Sequence, residues 1–284
     1  QHGARQRDAL CLPAGQLLEL GPMSAEEGGT LLDAWLAAAD RRLTSGQRAA
    51  ILDRFAAQGS PLFLRLAVEE ARRWPDTLQD VQLGSDILAV VGELFDRLER
   101  EHGRQLVGHA LGFLACTHAR LGLSEDELLD ALAADAETWA EFAAGARWEL
   151  PARRLPVVVW SRLHFDLAPY LSPRAAEGAS LLSFFHRELA EVAQRRYVEG
   201  RAAHLHGVLA GVLGVLARAL GEDGRAWAGS PHALAELPYH LTAAERWDEL
   251  YATLTDFTFL EAKAARVGVV TAAVEGREVT AYHG

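Results

Sequence analysis

Lysine is almost absent from this sequence of 284 residues, in which Lys263 is the only one. A phosphate-binding loop of the G-x-x-x-x-G-K-[ST] kind needs a lysine directly after its glycine turn, and no glycine loop precedes Lys263. No apolar strand ends in the paired acidic residues that would hold magnesium. We therefore expect no catalytic residues here and no ATP hydrolysis by this chain alone.

Cysteine and long apolar runs are also scarce. Cys11 and Cys116 are the only two cysteines, and they form neither a disulfide framework nor a metal-ligand spacing, which suits a reducing cytoplasm. Residues 1–5 lack the apolar core of a signal peptide, and no run approaches the roughly 20 apolar residues that span a bilayer. We expect a cytoplasmic location without membrane contact. Because the first residue is not Met, we suspect a piece of a longer protein.

Positive charge is in deficit, with 28 basic against 39 acidic residues and a net charge of -11. Proteins that bind nucleic acid through phosphates need a basic surface, so this balance argues against a nucleic-acid partner. The remaining composition, 50% hydrophobic and 24% charged, is that of a soluble globular protein. The length allows one large domain or two to three small ones.

Helix signals dominate the first third of the chain. Leu17–Leu20 is a short apolar run and predicts a strand. Ser24 and Thr44 each have a Glu or Gln three residues later, which predicts two capped helices. After the break at 59–60, Pro61 predicts the start of a third helix, where its missing N–H does no harm. Residues 24–91 therefore form a predicted small helical domain.

Residues 92–200 show a different order. Apolar helical stripes are followed by a capped helix from Ser124, a helix led by residues 157–160, two predicted strands at 167–171 and 181–185, and a closing helix. This is the order of a winged helix. The candidate recognition helix is acidic and should repel phosphates; its acidic residues are Glu125, Asp126, Glu127, Asp130 and Asp135.

Residues 201–284 return to helical patterns. Residues 233–241 and 246–254 resemble a helix-turn-helix repeat, with Pro238 as a kink or breaker, whereas 267–282 is less regular. The predicted fold class is therefore mainly α, with a helical domain, a winged-helix domain with a small β-hairpin, and TPR-like superhelical helices.

The most informative stretch is 183–197, where a short apolar strand passes into an amphipathic helix. His186 lies at the junction, where its ring can face an anion at the helix N-terminus. A histidine packed in a strand–helix corner is the structural alternative.

The histidine spacing does not predict a metal site. His102, His109 and His118 follow one helical region, but no Asp or Glu at i+3 or i+4 completes a ligand set. His204 and His206 are two apart in a helix and cannot face one site. We therefore expect no bound metal.

Taken together, the order of helical bundle, winged helix and helical repeats resembles the downstream half of STAND-class signalling NTPases. These AAA+-related proteins include the NACHT and NB-ARC switches. Four segments carry the likeness: 20–27 is similar to the end of the nucleotide-binding core, 59–62 to the family's glycine-x-proline element, 185–187 to its Met-His-Asp motif, and 237–250 to the repeat region of NACHT proteins that continue into WD40 propellers. Arg187 replaces the usual aspartate of the motif.

The resemblance implies four parts: 1–23 as the end of the NTPase core or a linker, 24–91 as a helical lid, 92–200 as the winged helix and 201–284 as the start of the repeats. It implies that Pro61 packs near the adenine and that His186 reaches the β-phosphate of ADP, holding the off state. Pro61 is equally explained as a helix-start proline. The ADP or ATP would be held by the NTPase core of the parent protein, a slow ATPase switch, and not by this fragment.

The resemblance thus suggests a regulatory and scaffold segment of a nucleotide-dependent switch. The implied partners are the NTPase core of the same protein, other copies of the protein after activation, and WD40 or further repeats downstream. Two alternatives stay open from the residues alone. One is a winged-helix transcription regulator with a helical sensor domain, and the other is a stand-alone helical-repeat adaptor.

Overall fold

The computed structural model describes residues 21–78, 81, 83–145, 155–176, 179–218, 226–266, 269–274 and 277–282. It divides into two compact units, residues 1–90 and 91–284, and each is described by itself. The predicted strand at 17–20 lies outside the described residues. The four-part division given above stays a prediction.

Within residues 21–78, the first unit contains the helices α1 (Ala25–Ala38), α2 (Ser45–Ala56) and α3 (Pro61–Ala71). Both predicted capping boxes are confirmed. The Ser24 and Thr44 hydroxyls accept hydrogen bonds from the backbone N–H three residues on, and the Glu27 and Gln47 side chains accept from the cap residues' own N–H groups. These reciprocal bonds satisfy backbone donors that the first helical turn leaves without partners.

The core of this bundle forms where small and aromatic residues meet. Phe55 is fully buried, and its ring lies so close to Gly28 that a Cβ there would come within 2.0 Å of it. Glycine in α1 therefore makes room for an aromatic ring from α2. The other side chains of these three helices with no exposed surface are Leu32, Ile51, Phe63, Leu64, Ala67 and Ala71.

The winged-helix region begins with α4 (Ile87–His102), α5 (Arg104–Cys116), α6 (Glu125–Ala134), α7 (Ala136–Gly145) and α8 (Val157–Leu167). Strands β2 (Leu171–Ala176) and β3 (Ala179–Phe184) form an antiparallel hairpin, and the short β1 (Leu123–Ser124) pairs with the other edge of β3. In the strand order β1-β3-β2, the short strand between α5 and α6 pairs with the hairpin that follows α8. This topology confirms the predicted winged helix.

The position predicted for the first hairpin strand, 167–171, was wrong. Leu163 and Leu167 are both fully buried and one helical turn apart, so packing keeps this segment in α8. A 3₁₀ turn over Ala168–Tyr170 follows, and the strand begins only at Leu171. The residues from Ser172 to Ala176, which follow the predicted strand, pair with β3.

The structure also corrects the acidic recognition surface. Of the five acidic residues in that prediction, Glu127 and Asp135 are buried, and Asp135 follows the end of α6 rather than lying within it. The helix directly before the hairpin is α8, so α8 occupies the recognition position of a helix-turn-helix. This helix exposes three large apolar residues, Val157, Val158 and Phe165.

After β3 come α9 (Arg187–Ala193), a π-helical turn (Gln194–Val198), α10 (Ala202–Leu216), α11 (Pro231–Ala243), α12 (Trp247–Thr255) and α13 (Phe257–Arg266). Helix α11 continues through Pro238, so this proline is not a breaker. Helix α10 packs against α11, which also contacts α12 and α13.

The segment predicted as irregular, 267–282, contains an antiparallel hairpin of β4 (Val269–Val274) and β5 (Arg277–Tyr282). The valines and threonines of this segment are β-branched residues, which favour strands. Among the described residues, none of the helices combines the length and apolar character needed to cross a bilayer.

Candidate functional site

Pro61 is the first residue of α3 and is exposed. The hydroxyl of Ser60 caps the helix by accepting from the Phe63 N–H, and the carbonyl of Gly59 accepts from the Met23 N–H at 2.9 Å. Gly59 has φ +59°, and a Cβ there would lie 2.8 Å from the Met23 carbonyl oxygen. The glycine and the proline of this element are thus both explained by local backbone geometry, while the exposed proline ring remains free for contact.

His186 lies between β3 and α9, as predicted from the change of pattern. It is the N-cap of α9, and its Nδ1 accepts a hydrogen bond from the Glu188 N–H at 3.2 Å. An Nδ1 that accepts carries no proton, so the neutral ring has its proton on Nε2. The half-buried imidazole therefore caps the helix through Nδ1 and has an N–H donor at Nε2.

Arg187 stands where the family pattern has an aspartate. Its Nε lies 3.3 Å from the Glu191 carboxylate one turn along α9, and the side chain is mostly exposed. Arg120 approaches the same carboxylate at 3.9 Å. The arginine thus pairs within its own helix.

Pro61 belongs to the first compact unit and His186 to the second. Each has the local geometry predicted for it, a helix start and a strand–helix corner. Their roles toward a nucleotide stay predictions.

Folding forms two groups of possible metal ligands that the spacing along the chain does not predict, and the expectation of no bound metal stays a prediction. His109, Asp135 and His204 bring ligand atoms within 4.8 Å of one another, and so do Glu101, His102 and Asp166. Spacing at i+3 and i+4 along one helix does not reveal these groups, because each is completed by residues from other elements. The separate directions expected for His204 and His206 are confirmed: His204 faces Asp135, whereas His206 contacts His240.

Buried carboxylates connect the winged helix with α11. The Nδ1 of His232, which is fully buried, lies 2.8 Å from Oε1 of Glu127. Glu127 also completes the Ser124 capping box of α6. A second buried carboxylate, Glu236, accepts the His118 N–H at 3.0 Å and lies 3.3 Å from His240. Two acidic side chains thus link elements more than 100 residues apart.

The pKa of Glu127 reflects these partners. Burial by itself raises the pKa of this carboxyl group, but the hydrogen bond from His232 and those from Ser124 outweigh it and lower the pKa below 4.5. Glu127 is consequently an anion inside the protein at neutral pH, and its charge is compensated by hydrogen bonds from two different elements.

Comparison with known proteins agrees with this architecture. Residues 84–204 match the family described as "NWD1-like, winged helix-turn-helix domain". Human NACHT domain- and WD repeat-containing protein 1 is 38% identical over 196 residues, which are 68% of this chain and 12% of that protein. Mouse NACHT and WD repeat domain-containing protein 2 is 32% identical over 216 residues, covering 74% of this chain and 12% of its own length.

The sheet order, the capped α6 and the matched residues define a winged-helix protein of the NACHT-associated kind. The chain belongs to the NWD1-like family, with its winged-helix domain at residues 84–204. It spans about 12% of the length of the curated relatives it matches. The matched region is a winged-helix domain and not a NACHT core.

Proposed function

We propose that this chain is the regulatory segment of a STAND-type signalling NTPase, and that its winged helix holds an ADP-bound off state through His186. The observation that carries the proposal is an imidazole at the strand–helix corner of an NWD1-like winged helix, with Nδ1 used as a cap and the Nε2 proton left to donate. A donor of this kind suits a phosphate oxygen, because hydrogen bonds to charged groups are the stronger ones.

In this mechanism, the nucleotide is bound by the NTPase core of the parent protein, and this chain contributes contacts from Pro61 and His186. Replacement of ADP by ATP removes the contact to the winged helix. The equilibrium then shifts to an open form that assembles with further copies of the protein. His186 can shift this equilibrium only by the difference between its interaction free energies with the ADP-bound and the ATP-bound state.

The test uses the longest protein that contains this chain together with a nucleotide-binding core. His186→Asn retains a side chain that caps helices well but withdraws the Nε2 donor from the ligand. ADP release should become about tenfold faster, because a hydrogen bond to a charged group contributes about 1.5 kcal/mol or more. Release is measured by stopped-flow fluorescence of a labelled ADP.

His164→Asn is the matched control, since His164 lies on α8 and stacks on Trp160 instead of facing the strand–helix corner. It should release ADP at the unmodified rate. Equal release rates for His186→Asn and the unmodified protein, with both folded, would remove the assigned role of His186.

We further propose that an apolar stripe on α12 and α13 packs against the WD-repeat part of the parent protein. Trp247, Tyr251 and Leu254 follow one face of α12, and Phe257 and Leu260 continue along α13. Tyr251 is 72% and Phe257 76% exposed within the described structure. Contiguous large apolar side chains on a surface mark an interaction site, and the names of the relatives include WD repeats.

Replacing Tyr251 and Phe257 together with glutamate should detach the WD-repeat part from these helices. Limited proteolysis of the protein containing both parts is expected to cut between them at least fivefold faster, because a charge in an apolar contact opposes its burial. Glu261→Gln, an exposed change on α13, is the control. Unchanged cleavage in the double variant would contradict the assignment.

A further inference from the structure

Three side chains from distant parts of the chain meet within residues 84–204. His109 belongs to α5, Asp135 lies between α6 and α7, and His204 belongs to α10. The Nε2 of His204 is 2.7 Å from Oδ2 of Asp135, and the Nε2 of His109 is 3.6 Å from Oδ1 of Asp135. Two imidazoles thus converge on one carboxylate.

The orientation of His109 is set by its other nitrogen. Nδ1 lies 2.9 Å from the carbonyl oxygen of Gln105, which can only accept, so Nδ1 carries the proton. The Nε2 lone pair accepts from a guanidinium N–H of Arg201 at 2.9 Å, and Nε2 lies 3.6 Å from Oδ1 of Asp135. An imidazole held by a backbone carbonyl through one nitrogen, with the other aimed at a cluster of ligands, is the arrangement found for metal-binding histidines.

Asp135 is held equally firmly. It has no exposed surface, and its Oδ1 accepts the Thr138 N–H at 2.7 Å. This bond fixes the carboxylate at the start of α7 while its other oxygen faces His204. A buried carboxylate and a buried imidazole are therefore placed before any ion arrives.

A cation already lies beside this cluster. The guanidinium of Arg201 is 2.9 Å from Nε2 of His109 and 2.5 Å from the Glu137 carboxylate. Arg201 is 39% and Glu137 50% exposed, so the arginine can turn outward and leave a path from solvent. Glu137 also lies 3.9 Å from His109, close enough to serve as a further oxygen ligand.

We propose that His109, Asp135 and His204 form a zinc site, with Glu137 as the fourth ligand and Arg201 displaced by the ion. Nitrogen and carboxylate oxygen are accepted zinc ligands, and four of them at about 2.0–2.1 Å in a tetrahedron lie about 3.4 Å apart. The 2.7 Å and 3.6 Å separations need changes of less than about 1 Å to reach that value. The bound ion would join α5, the α6–α7 junction and α10, independently of any nucleotide.

The test is made on the full chain after chelator treatment and dialysis. Titration with Zn²⁺ in a calorimeter should show one ion per chain, and Co²⁺ should give the intense visible absorption of a tetrahedral site. His204→Ala should weaken zinc binding at least tenfold; since His204 is half exposed, this variant tests the ligand without opening the core. Arg201→Gln should bind zinc at least as tightly as the unmodified chain.

His102→Gln is the matched control, because His102 belongs to the other group of possible ligands, with Glu101 and Asp166. It should leave zinc binding unchanged. A folded chain that binds no zinc, equal binding by His204→Ala, or a loss in His102→Gln instead would each overturn the proposal. Binding of Ni²⁺ or Cu²⁺ without Zn²⁺ would overturn the choice of metal.

Discussion

Replacing Glu127 with alanine is expected to lower the free energy of unfolding of the unit formed by residues 91–284 by about 4 kcal/mol. The substitution leaves His232, which is fully buried, without the carboxylate that lies 2.8 Å from it. It also removes the N3 half of the Ser124 capping box, which contributes about 1 kcal/mol. Urea denaturation of the full chain, followed by circular dichroism, measures the loss.

Glu125→Ala is the control for this experiment. Glu125 lies in the first turn of the same helix and is exposed, so its loss should change stability by no more than about 0.5 kcal/mol. A double-mutant cycle with His232→Ala then isolates the pair, because the two single losses should not add. Equal midpoints for Glu127→Ala and Glu125→Ala would mean that the buried pair contributes nothing.

The same pair gives the stability a dependence on pH. Since the pKa of Glu127 is lowered in the folded protein, its contribution is present above the ordinary carboxyl value of 4.5 and is lost as the pH falls through the lower folded pKa. Glu127→Gln lacks this titration. The difference in stability between the unmodified chain and Glu127→Gln should therefore shrink as the pH falls below about 4.5.

Gly122→Ala is expected to cost about 3 kcal/mol, because two effects act at one position. Gly122 has φ +96°, which L side chains rarely adopt, and a Cβ would lie 2.0 Å from the carbonyl oxygen of Leu182 in β3. No rotamer relieves a clash between Cβ and backbone. Relief requires β1 to leave β3, which removes the pairing of Leu123 with Leu182.

Gly211→Ala is the control in the same unit, and we expect it to raise stability. Gly211 lies within α10, a Cβ added there would meet no atom within 4 Å, and alanine favours helix by about 0.5–1 kcal/mol. The midpoint temperature of thermal unfolding should therefore fall for Gly122→Ala and rise slightly for Gly211→Ala. An unchanged midpoint temperature for Gly122→Ala would contradict this prediction, because it would show that β1 and β3 accommodate the added Cβ without loss of stability.

Local signals explain how much of this fold could be predicted. The boxes at Ser24, Thr44 and Ser124 involve residues three apart, and all three helices begin where the pattern places them. The hairpin was predicted but its first strand was misplaced, because whether Leu167 continues a helix or starts a strand depends on what it packs against. Tertiary burial, which no local window contains, decided that boundary.

The candidate site, like the fold, could be predicted from the sequence only in part. The helix start at Pro61 and the strand–helix corner at His186 follow from neighbouring residues, and the structure places both there. The meeting of Asp135 with His204 joins residues 69 positions apart. A single sequence gives no measure of such distances, so the cluster of His109, Asp135 and His204 and the Glu127–His232 pair became visible only in the folded chain.

The contacts of Glu127 and Glu236 have a mechanical consequence. Both carboxylates connect the winged-helix elements to α11 from inside the protein, and residues 91–284 form one compact unit. If the proposed function holds, we expect a displacement that begins at the corner of β3 and α9 to reach α12 and α13 as a movement of the whole unit.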